Sequence, residues 1–214
     1  LDMSRVINKI DYEMQQNDIP GLAAMLVIHD EVVWAEGFGL AQIDNKEPVT
    51  KDTPFLLAGV STTFVSMALM QAIEAGALSL NTDVADLLDF PLDNPHLDGE
   101  RILVQHLLTH TSGILEYKAL WDDESVGLYS EGDSEIGLNQ FLESYLVEGG
   151  EHYNAETNYG LLGPGEKRVS GRLAPALAAQ VLEESTGLNL REHSQQHLFE
   201  PLEMSNSGWH LRDF

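Results

Sequence analysis

The chain has 214 residues with 43% hydrophobic content, enough for one substantial core and too apolar for a disordered polymer. Its 35 acidic side chains outnumber 11 basic ones, and the formal net charge of -24 sets up a field that repels nucleic acid and anionic membrane surfaces. Cysteine is absent, which excludes disulfides and thiolate chemistry, and no apolar run approaches the ~18 residues of a membrane span.

Val6, Ile7, Ile10 and Met14 recur at helical spacing, so an amphipathic helix is predicted to open the chain and to stop at Pro20-Gly21. The first residues show no basic-then-apolar leader pattern, which leaves the compartment open. "LAAMLVIHD" and "EVVWAEGFG" read as two strands of a hairpin turning at Asp30-Glu31, and "AQIDNKEPVTKDT" reads as loop. "VSTTFVSMALMQAIEA" is apolar nearly all round and predicts a helix buried on most sides, ended by Gly76.

"LNTDVADLL" predicts a short helix capped by Asn81 or Thr82 with Asp83 in its first turn. "ILVQHLLTHTSG" predicts another helix, ending at Gly113, after a proline-punctuated loop. Residues 117–136 are acidic and rich in Ser and Gly, an exposed excursion; their run "WDDESVGLYSEGDSE" lacks the spaced ligands of an EF-hand. "LNQFLESYLV" predicts an amphipathic helix and "EGGEHYNAETNYGLLGPGE" an irregular stretch. Helices are predicted near 174–185 and 189–199. The order is helix, hairpin, then mainly helices: an α+β chain with an unfinished sheet.

Several stretches together resemble one family: "IPGLAAMLVIHDEVVWAEGFGLA", "TPFLLAGVSTTFVSMALMQAIEAGALSLNTDVADLL", "LLTHTSGI", "PGEKRVSGRLAPALAAQVLEESTG" and "LFEPLEMSNSGW". In this order they are similar to the serine β-lactamases of the class C type and the related penicillin-binding proteins and esterases, from about Ile19 to Trp209. The resemblance implies a single domain over 1–214 with an antiparallel sheet and helices, incomplete in this chain, which matches the N-terminal portion of a full member. It also suggests a periplasmic or secreted setting.

The family's chemistry uses a serine at a helix start with a lysine one turn later, a Tyr-x-Asn pair that moves protons, and a Lys-Thr-Gly or His-x-Gly strand edge. Aligning "FLLAGVSTTF" places Gly59 at the nucleophile position and Thr62 at the lysine position. Ser61 is the nearest hydroxyl, but two helical residues turn it about 200° from the Gly59 face; as a fallback nucleophile it competes with a first-turn residue bonding backbone. A gapless register puts Ser170, Gly171 and Arg172 at the Tyr-x-Asn positions; a rival register offers Tyr153 or Tyr159, neither followed two residues later by asparagine. No Lys-Thr-Gly, Lys-Ser-Gly or His-x-Gly occurs in the sequence.

The reading that follows is a β-lactamase-like pseudoenzyme that binds or scaffolds, with Ser170 and Arg172 as binding candidates for a small carboxylate or peptide-like ligand. Arg172 either pairs with an acidic neighbour or holds a ligand carboxylate through two hydrogen bonds. The alternatives are a hydrolase of the same family (β-lactamase, esterase or peptidase) working through Ser61, and an acidic module docking a basic partner. His193 and His197 have zinc-compatible spacing but no third ligand, and are predicted to sit on a solvated helix face. No metal and no cofactor is expected. The apolar hairpin strand "LAAMLVI" is expected to be an edge completed by a second chain or a C-terminal fragment.

Overall fold

The computed structural model describes residues 2–117 and 132–214, which fall into two compact units dividing between Leu56 and Leu57. The acidic excursion predicted at 117–136 lies mostly outside the described residues.

In the first unit, α1 (Ser4–Gln16) is followed by β1 (Gly21–Ile28), β2 (Glu31–Gln42) and β3 (Glu47–Pro48). The sheet is antiparallel and open, in the order β1-β2-β3. The hairpin turns one residue earlier than predicted, through His29 and Asp30, both with positive φ (49° and 63°). Two left-handed residues make the tight turn whose twist matches the strands, and Asp tolerates that conformation better than Glu31 would. Leu26 pairs with Trp34 but Val27 with Val32, so Val33 is an extra residue that bulges β2. β2 runs on to Gln42 and pairs with β3, so the stretch read as loop contributes a third strand. As the outer strand, β1 leaves Met25, Val27 and Ile28 exposed.

In the second unit, a 3-10 turn (Ala58–Val60) leads into α2 (Ser61–Glu74). Gly76 closes α2 with φ 79°: its N–H bonds Ile73 and the Ala77 N–H bonds Ala72. That paired geometry needs a left-handed residue just past the helix, which glycine supplies without strain. A 3-10 turn (Val84–Asp86) is capped by Asp83 rather than by Asn81 or Thr82, because Thr82 Oγ1 is engaged with the Ser79 N–H. The remaining helices are α3 (Val104–Leu108), α4 (Leu138–Leu146), α5 (Ala155–Asn158) and α6 (Leu173–Thr186). Last comes α7 (Leu190–Ser194), which widens into a π turn (Gln195–Phe199). α3 ends at Leu108, earlier than predicted, because His110 turns left-handed with φ 58°. Asn154 caps the short helix α5 within the stretch read as irregular.

The core of this unit is organised on α6, which packs against α2, α3, α4 and α7. Leu173, Leu177, Val181 and Leu182 are fully buried, and Leu69, Leu107 and Leu142 meet them from the surrounding helices. Each such side chain contributes about 1.5–3 kcal/mol of hydrophobic stabilisation. The sequence predicts α2 buried on most sides, but α2 buries only Val65, Ala68, Leu69 and Ala72, and Met67 and Met70 are exposed.

His193 departs from its predicted solvated face. It is 4% exposed, with its ring centroid 4.6 Å from that of exposed His197. The cause is the amphipathic stripe of α7 itself: His193 and Ser194 share the inward face that continues into Leu198 and Phe199. Burial holds the His193 pKa below the ordinary 6.5, and His197 adds repulsion. Burial likewise lowers His106 and His110, the latter with help from Arg168. The unfolded chain therefore binds these protons first, so their contribution to stability is complete above the ordinary 6.5 and is lost as pH falls toward the lower folded values. Urea midpoints of wild type and His193→Gln at pH 7.5 and 5.5 check this: the variant, with one such group fewer, should lose less stability on acidification than wild type does.

Candidate functional site

Two helix starts carry the residues that the sequence singled out. At the first, Gly59 lies in the exposed turn before α2, and a side chain built on it would meet none of the described residues within 4 Å. Ala58 before it has φ 46°, a left-handed conformation that costs a non-glycine residue about 1–2 kcal/mol. Backbone strain of this kind is concentrated at functional sites. Thr62 sits one turn on and donates from Oγ1 to the Gly59 carbonyl oxygen at 2.8 Å. The backbone-bonding hydroxyl of the first turn is therefore that of Thr62 and not that of Ser61. Ser61 gives its backbone N–H to the Ala58 and Gly59 carbonyls and is half-buried.

At the second helix start, Ser170 and Arg172 are exposed and lead into α6. Arg172 faces an acid: its Nε lies 3.5 Å from Glu116 Oε1, and its backbone N–H donates to Glu116 Oε2 at 2.7 Å. A side chain at Gly171 would come within 2.7 Å of that same oxygen. Of the two roles considered for Arg172, pairing with an acidic neighbour is present in the structure. The sequence did not single out Glu116; its position directly after the "HTSGIL" stretch was the available signal.

Glu116 is held from both sides. The Tyr145 hydroxyl donates to the Leu115 carbonyl and accepts the Tyr117 N–H, each at 2.9 Å. The Leu115 N–H bonds the Asn158 carbonyl, and Ile114 bridges Tyr159. The loop before α6 is tied to the same segment: Gly165 donates to the Thr111 carbonyl and Val169 to the His110 carbonyl, both at 2.8 Å. Beside these contacts lies a cleft of about 270 Å³ walled by Gly113, Leu115, Leu161, Leu162 and Val169, with Lys167 among its lining.

The tyrosines of the rival register are placed differently. Tyr159 is 1% exposed, and its hydroxyl donates to the Leu146 carbonyl at 2.6 Å. Burial raises its pKa, as it does that of Tyr145, which disfavours the phenolate a proton carrier would need. Tyr153 packs beside it, ring centroids 6.4 Å apart, against the core. The two helix starts belong to α2 and α6, which pack on each other, but each group is engaged at its own end: Thr62 with Gly59, Arg172 with Glu116. Among the described residues no cluster of three or more His, Asp or Glu could hold a metal, and no helix is long and apolar enough to cross a membrane.

This geometry, an open sheet followed by a buried helical unit, is that of the beta-lactamase fold, and the chain belongs to the beta-lactamase family, whose pattern it matches over residues 6–214. It is 35% identical over 107 residues to esterase EstB of Burkholderia gladioli, which takes in 49% of this chain and 27% of the esterase. It is 29% identical over 114 residues to Protein flp of Staphylococcus aureus strain N315, or 53% of this chain and 23% of that protein. It is 31% identical over 102 residues to the human mitochondrial serine beta-lactamase-like protein LACTB, or 46% of this chain and 18% of that protein. Among solved structures, the octameric penicillin-binding protein homologue from Pyrococcus abyssi superposes with TM-score 0.77 at 24% identity, over 95% of this chain and 44% of that one. A class C beta-lactamase gives TM-score 0.70 at 23% identity, over 95% and 49%. The matched region thus spans between 18% and 27% of these curated relatives and about half of the solved chains.

The open space at Gly59 has a direct consequence. Gly59→Ser places a side chain against solvent and removes backbone freedom from the unfolded chain, a gain of about 0.4–1 kcal/mol. Its thermal midpoint should match wild type or rise by about 1–4 °C. A fall of similar size in differential scanning fluorimetry would show that the turn cannot accept a side chain.

Proposed function

We propose that this protein is a non-acylating member of its family that works by binding. One observation carries the reading: the nucleophile position before α2 is Gly59, and the position one turn on is Thr62, whose hydroxyl is spent on the Gly59 carbonyl. Glycine offers no attacking atom and threonine no amine to activate one. The gapless register supports the same conclusion at the second motif, where Ser170 and Arg172 replace the phenol and the amide. The commitment of the Tyr159 hydroxyl to Leu146 speaks against the rival register. Arg172 and Ser170 remain the binding candidates.

A second reading is favoured by the likeness to an esterase: acyl transfer through Ser61. Its hydroxyl is two residues from Gly59 and would have to act without a lysine one turn on. A third concerns β1, whose apolar outer position supports pairing with a strand from another polypeptide, either a separate fragment or a second copy of this chain. Sedimentation across a dilution series should then show dissociation coupled to loss of stability. A stable monomer at every concentration would remove that reading.

Intact-mass analysis after incubation with a fluorescent penicillin or an activated ester separates the first two. The expected result is unmodified protein. A stoichiometric adduct mapped to Ser61 would establish the second reading instead. The Gly59→Ser, Thr62→Lys double variant should also show no useful turnover, because the second motif still lacks its phenol and amide and such machinery acts as a unit. Rapid nitrocefin hydrolysis by that variant would restore Tyr153 or Tyr159 as the proton carrier.

A further inference from the structure

The Glu116 contacts amount to a bound carboxylate. Its two oxygens take a backbone N–H at the start of a 14-residue helix and face a guanidinium, the combination by which proteins hold carboxylate ligands. Gly171 makes the approach possible, since any side chain there would stand 2.7 Å from Oε2. The carboxylate is also presented rigidly, because Tyr145 fixes the backbone of both neighbouring residues.

Leu115 and Val169, which adjoin Glu116 and Ser170 in the chain, line the cleft of about 270 Å³. Most of that lining is aliphatic or glycine, and Lys167 adds a positive charge. A charged notch and an apolar cleft thus meet along the same two segments.

We propose that Gly171, Arg172 and the start of α6 form a binding site for a small organic carboxylate with an apolar body, and that Glu116 is the protein's own ligand in that site, holding it closed. This rests on the reading above, in which Arg172 occupies a position that no longer serves acyl transfer. An internal ligand competes at an effective concentration in the millimolar range. An incoming carboxylate therefore displaces Glu116 only when the cleft contributes to its affinity, so the pair acts as a filter against small anions without an apolar body.

The test uses 4-fluorobenzoate followed by fluorine NMR, with 4-fluorobenzamide as the neutral control, on the whole chain. Glu116→Ala removes the internal carboxylate; Glu116→Gln keeps the shape but loses the charge that faces the guanidinium, and serves if the alanine variant misfolds. Expected is saturable binding of the benzoate at least about ten-fold tighter than by wild type, the equivalent of one charge-assisted hydrogen bond. The benzamide should gain nothing, and Glu116→Ala with Arg172→Ala should lose the gain. The Arg172 backbone amide resonance should shift on removing Glu116 and move back on adding benzoate. Equal binding by wild type and both variants, absence of binding by a folded variant, or a gain shared by the benzamide each overturns the proposal. None of these readouts involves acylation, so an adduct with a penicillin would defeat the non-acylating reading without deciding this one.

Discussion

The helical unit depends on the burial of α6. Leu173, Leu177, Val181 and Leu182 are buried together with Ala174, Ala178 and Ala179, so this helix depends on α2, α3, α4 and α7 to cover it. Two of the surrounding helices can then be very short. α3 and α7 have five residues each, far below the length at which an isolated helix is stable, and they persist through tertiary packing. The same constraint positions chemistry. The end of a helix fixed on all sides is a rigid platform, and Arg172 stands on it.

The segment 111–117 is a second fixed reference. It receives bonds from the loop before α6, from the end of α5 and from the Tyr145 hydroxyl on α4. Three separate parts of the chain therefore converge on one irregular stretch, whose backbone groups find partners without helix or sheet. Glu116 is held in register with Arg172 by this convergence more than by the ion pair, since a pair at 3.5 Å with an exposed arginine contributes little on its own.

Much of this was legible in the residues. Periodicity located α4 and α6 to within a residue or two, because their apolar spacing is regular and Gly187 punctuates the end of α6. The hairpin was legible too, but its turn was not, because positive φ at His29 and Asp30 is a backbone property with no strong composition cue. α2 misled through its composition: Met67 and Met70 look like core, and only the packing shows which face α6 takes. His193 misled in the opposite way, a polar residue drawn inward by the apolar stripe that continues into the π turn. At the site, Gly59, Thr62, Ser170 and Arg172 were singled out by the family resemblance alone. Glu116 was not, because it lies 56 residues from its partner and nothing local marks a long-range pair.

One contact bears on how the chain acquires its structure. Gln71 of α2 donates to the carbonyl of His197, which the π turn frees from ordinary helical bonding, and the two are 126 residues apart. During synthesis at about 5–20 residues per second, α2 leaves the ribosome several seconds before its partner does. For most of that interval its apolar face has neither α6 nor α7 to cover it. The helix that begins at Ser61 is thus made early and secured late, which exposes it to chaperones and proteases during the part of the protein's life when it is least defended.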